Sequence, residues 1–137
     1  MTNNTGWTDA FSQINNVAHA AIKVEDELLS ESIFSLFKKK DYGKYNALFD
    51  AAQIELTKIK LTMSIDFPNV DEDKLISLKS FADALFNYIQ ILKRINYGLS
   101  LKATRSGEYA HTTYTQELQS LDSARNIIAD RQDAIFK

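Results

Sequence analysis

Residues 75–99 read LISLKSFADALFNYIQILKRINYGL, and their spacing decides the fold. Leu75, Leu78, Ala82, Leu85, Ile89, Leu92, Asn96 and Leu99 recur in alternating steps of three and four, which places them on one side of an α-helix. Seven are apolar and the eighth, Asn96, is an amide. Tyr88, Ile91 and Ile95 widen the stripe to roughly 160° of circumference, an arc that a corner helix of a four-helix bundle can bury. An unpartnered buried Asn costs roughly 1–3 kcal/mol. Asn96 therefore either fixes register or oligomeric state, or lies in water near the helix end.

Related ladders flank this one. The first runs Trp7, Phe11, Ile14, Ala18, Ala21, Leu28, and Glu25 interrupts it. The interruption reads either as helical drift or as a kink near Val24-Glu25. Lys38-Lys39-Lys40 then meets Asp41-Tyr42-Gly43, a helix end followed by an N-cap and a turn. A second ladder follows as Tyr45, Leu48, Ala52, Leu56, Ile59 and Met63, and Pro68 stops it. The last runs Ala110, Tyr114, Leu118, Leu121, Ala124, Ile128 and Ile135.

The expected helices cover about residues 8–40, 44–65, 70–102 and 108–136. Short connections between long helices favour antiparallel neighbours. The expected fold is all-α, an antiparallel up-down-up-down four-helix bundle forming a single domain over residues 1–137.

Composition narrows the function classes. A hydrophobic share of 45% in 137 residues supports a packed core. The net charge of −2 gives no field that points to nucleic acid or an anionic membrane. With no Cys there are no disulfides, thiolate metal sites or Cys nucleophiles. No run has the ~18–20 apolar residues of a membrane span, and no signal-peptide pattern opens the chain, so a soluble cytoplasmic protein is expected.

Chemistry-bearing motifs are few. The chain has two histidines, and His19, among alanines, reads as surface packing. Glu108 and His111 form one Glu-x-x-His pair, but a di-iron bundle needs a second, so no metal or cofactor is expected. Arg105-Ser106-Gly107-Glu108-Tyr109-Ala110-His111 resembles the Arg-polar-x4-His signature of HEPN domains, helical bundles that include many ribonuclease toxins. The resemblance implies Arg105 and His111 near the start of the last helix, acting on RNA phosphate. Arg would steady the anion and His would transfer a proton. Ser106 stands where that family more often has Asn, Asp or His.

Phe86, Tyr97 and Leu101 fall well outside the wide stripe and form a second apolar face, which favours a protein partner or self-association. The Lys38, Lys39, Lys40 run is a second contact candidate. The expected function is therefore binding by a non-enzymatic interaction or regulatory protein of the inhibitor, immunity or assembly-factor type. A HEPN-like ribonuclease using Arg105 and His111 is the rival, with nucleic acid ranked behind a protein partner. A carrier of an apolar small ligand in the bundle core is the third reading.

Overall fold

The computed structural model describes residues 4–29, 40–66, 72–103 and 110–135. They form α1 (Asn4–Leu29), α2 (Tyr42–Asp66), α3 (Glu72–Ala103) and α4 (His111–Ile135). Consecutive helices pack antiparallel, as the short connections predict. The described part of helix one ends at Leu29, and Lys40, expected at its C-terminus, is not helical. The intervening residues, with Lys38 and Lys39, lie outside the described residues, as does the side chain of Trp7.

Local chemistry explains the helix ends. Asp41 is the N-cap of α2, as its sequence position predicts. Its carboxylate accepts the Lys44 N–H at 3.0 Å and its carbonyl accepts the Tyr45 N–H at 3.1 Å. Gly43, read as a turn, lies instead in the first turn of that helix. Glu72 and Asp73 occupy the first turn of α3 and Lys102 its last, so the charges complement the helix dipole. Gly98 is buried inside α3, which continues past it.

The hub of the bundle is α3. It packs against α1, α2 and α4, and α1 packs against α2 as well. Among the described residues α1 and α4 make no backbone contact. The cross-section is therefore a rhombus with α1 and α3 on its short diagonal. Ala10, Ala18 and Ala21 on the buried face of α1 leave room for that approach, and the Phe11 and Phe81 rings meet with centroids 6.0 Å apart.

The ladder on α3 is buried as expected. Leu78, Ala82, Leu85, Ile89, Leu92 and Asn96 are core, with Leu75 and Leu99 half-buried against it. Phe81, Tyr88, Ile91 and Ile95 are buried too, so the wide arc is filled. Two corrections concern the neighbours. On α2 the core position belongs to Phe49, while Leu48 is 44% exposed. Stepping 45, 49, 52, 56 keeps the three-four period and lets the larger ring fill the centre. On α4, Ala110 is exposed because it precedes the helix, where its carbonyl accepts the Tyr114 N–H at 3.0 Å.

Glu25 does not interrupt the stripe of α1, which is one continuous helix there; it is buried within the stripe. Arg125 reaches across from α4 and donates Nε and Nη2 to the same Glu25 oxygen at 2.9 and 2.6 Å. A weaker contact, Gln132 Nε2 to Asn15 Oδ1 at 3.4 Å, lies further along the same seam. Side chains thus bridge the side of the rhombus that the backbones leave open.

Beside the ion pair, the Tyr88 hydroxyl is fully buried and faces Glu25 and Arg125, without a hydrogen bond of good geometry to either. Burial, and then the Glu25 carboxylate, hold the Tyr88 phenol well above its ordinary range. Asn96 is buried as well. Its amide donates to the Tyr42 carbonyl at 2.9 Å, tying α3 to the first turn of α2, and its own carbonyl oxygen has no partner.

Three outcomes are expected. Leu85→Ala should cost about 2–5 kcal/mol in urea unfolding, because it empties a fully buried site. Arg125→Ala should cost toward the lower end of the roughly 3–5 kcal/mol typical of a stranded buried charge, since Arg125 is partly solvated; adding Glu25→Leu to it should recover most of the loss. The raised Tyr88 pKa contributes stability that is fully present below about pH 10 and is lost as pH rises through the folded-state value. Tyr88→Phe should change neutral-pH stability by no more than about 1 kcal/mol and flatten the alkaline arm of a stability–pH curve.

Candidate functional site

The α2–α3 seam sets the geometry of the exposed surface. Asp50 pairs with Lys93 at 2.5 Å, Gln53 donates to Gln90 at 3.0 Å, and Lys60 pairs with Asp83. Each step forward on α2 matches an equal step back on α3, so these contacts record one antiparallel register. Gln53 is itself buried; it accepts from Lys93 at 3.2 Å, and its backbone carbonyl takes the Thr57 hydroxyl at 2.9 Å. On the other flank Arg94 grips Glu117 of α4 through Nε and Nη2. The outer face of α3 is thus held from both sides.

Phe86 and Tyr97 stand on that outer face, 40% and 65% exposed. At 100° per residue they lie roughly 20° apart in azimuth and about 16 Å apart along the helix. Leu101 lies on the same side but is half-buried, so it is a weaker contact point than its position implies. The rest of the helix explains why Phe86 is outside. Leu85, Tyr88 and Ile89 already fill the inner arc, and Gln53 and Gln90 occupy the seam beside it.

Phe86 is one wall of an open groove of about 430 Å³ between α2 and α3. Ile54, 57% exposed, faces it, with Thr57 and Lys58 alongside. A second open groove, about 450 Å³, lies between α3 and α4 and is lined by Ile76, Lys79, Asp83, Ile127 and Arg131 among others. Sequence reasoning missed Ile54, Ile76 and Ile127. Their signal was present as isoleucines off the apolar ladders, next to buried or half-buried residues.

The remaining sequence candidates separate. Lys40 is tied into the fold: its ammonium donates to the Leu28 carbonyl at 2.6 Å, near the C-terminus of α1. Arg105 lies outside the described residues. His111 is the first residue of α4, and its side chain is outside the described set. His19 is exposed, as expected, with Asn15 at 3.4 Å. Among the described residues no group of three or more His, Asp or Glu is placed to hold a metal ion, and no helix is long and apolar enough to cross a membrane.

No protein-family model matches the chain, and comparison with curated proteins and with solved structures finds no match either.

Proposed function

We propose that this is a small non-enzymatic interaction or regulatory protein, of the inhibitor, immunity or assembly-factor kind, that works in the cytoplasm through its helix faces. The observation that carries this reading is the exposure of Phe86 and Tyr97 on one face of the most buried helix. Elsewhere in the molecule Phe49, Phe81 and Tyr88 are fully enclosed, so the core takes up large rings where it can reach them. Aromatic side chains left in a row, one beside an open groove, are the usual anchors of a protein interface. Phe86 and Tyr97 are the main contacts in this reading, with Leu101 at the margin. The rival, an RNA-cleaving bundle using Arg105 and His111, draws support from the position of His111 at the start of α4.

The double variant Phe86→Ser, Tyr97→Ser should keep its helical spectrum and lose about 1–2 kcal/mol of stability. It should no longer retain the partner in affinity capture from the protein's own cells, read by mass spectrometry with and without RNase. His111→Ala should retain it. Undiminished capture by the Ser variant would remove these residues from the interface. RNA cleavage by the unmodified protein that His111→Ala abolishes would replace this reading with the nuclease.

A further inference from the structure

We infer that the occupant of the outer face of α3 is an acidic amphipathic helix of another protein. The inference rests on the binding reading above and adds the partner's chemistry. The charges in the two grooves point to it. The acids lining them, Asp50 and Asp83, are neutralised by Lys93 and Lys60. The cations lining them, Lys58, Lys79 and Arg131, have no ion-pair partner among the described residues. Among the residues lining the two grooves, the uncompensated charges are thus all positive, in a chain whose net charge is −2.

The same face carries the apolar anchors Ile54 and Phe86 on one side of α3 and Ile76 and Ile127 on the other. Apolar centres flanked by cations are complementary to an apolar stripe flanked by carboxylates. Ile76 and Tyr97 mark a track about 32 Å long, enough for roughly 20 residues of helix. Helix-in-groove recognition uses such anchors along one ridge, and charge complementarity sets orientation and rejects wrong partners.

Two other occupants fit less well. A two-fold dimer through this face would set Lys58, Lys79 and Arg131 of one copy against those of the other, a like-charge arrangement. A nucleic acid would meet the cations, but three of the four groove anchors are isoleucines, which offer no ring for base stacking.

The test compares three tagged forms of the full chain: unmodified, Phe86→Ser, and Lys79→Glu with Arg131→Glu. Each is first checked by its circular-dichroism melt. Capture from the protein's own cells is run with RNase at low and high salt. A zero-length carbodiimide cross-linker then joins Lys58 and Lys79 to any adjacent carboxylate. The expected result is a stoichiometric protein whose recovery falls at least tenfold in both variants and at high salt. Intermolecular cross-links from Lys58 or Lys79 should map to Asp or Glu on one helical segment of it, and replacing those acids with Lys should restore binding to the charge-reversed form.

A partner lost in Phe86→Ser but kept by the charge-reversed form overturns this inference and leaves the binding reading standing. A partner indifferent to Phe86 overturns both. Recovery of RNA, or of a second copy of this chain through these lysines, overturns the acidic-helix assignment in favour of that occupant.

Discussion

One helix carries more apolar side chain than a single neighbour can cover. The inner arc of α3 spans Phe81 to Ile95 in side chains that are almost fully removed from water. At roughly 25 cal/mol for each Å² of apolar surface buried, that arc matters most among the helices, since α3 supplies more of the buried hydrophobic core than any other. Satisfying it requires contact on three sides, and the bundle supplies α1, α2 and α4 for that purpose. The rhombic cross-section follows. Alanines on α1 allow it to close on α3 across the short diagonal, while the described backbones of α1 and α4 stay out of contact.

Polar groups then do what apolar packing does poorly, which is to select one arrangement. The Glu25–Arg125 pair spans the open side of the rhombus, and its carboxylate is buried. A slip of α4 by one turn would strand that charge. Asn96 ties α3 to the start of α2, and the Asp50–Lys93, Gln53–Gln90 and Lys60–Asp83 contacts repeat the same register along the seam. The exposed pairs add little energy singly. Their contribution is alignment, and alignment of α2 against α3 is what brings Ile54 opposite Phe86.

The surface that results is asymmetric in chemistry. In the two grooves that flank α3, the lining acids Asp50 and Asp83 are matched by Lys93 and Lys60, and the lining cations and large apolar side chains are left over. Two short segments of similar sequence take opposite places in this surface. Ala47-Leu48-Phe49 and Ala84-Leu85-Phe86 share residue types, and Gln53 and Gln90, at equivalent places, bond to each other. Yet Phe49 is core and Phe86 is surface. The same local words acquire opposite roles because α2 uses its phenylalanine to reach the centre, whereas α3 reaches it with Leu85.

Periodicity made the helices legible: a three-four spacing of apolar residues has one low-energy solution, and the ladder from Leu75 to Leu99 is where it was expected. The Asp41 cap and the outward placement of Phe86 and Tyr97 were legible for the same reason, since each depends on neighbours within a few turns. Glu25 was not. Its burial depends on Arg125, a hundred positions away, and only the approach of α4 to α1 shows that the apparent gap in the stripe is an ion pair. Ile54, Ile76 and Ile127 were missed for a related reason. Whether an isoleucine off the ladder is covered depends on where the next helix lies, and interhelical geometry is a property of the packed chain rather than of any one segment.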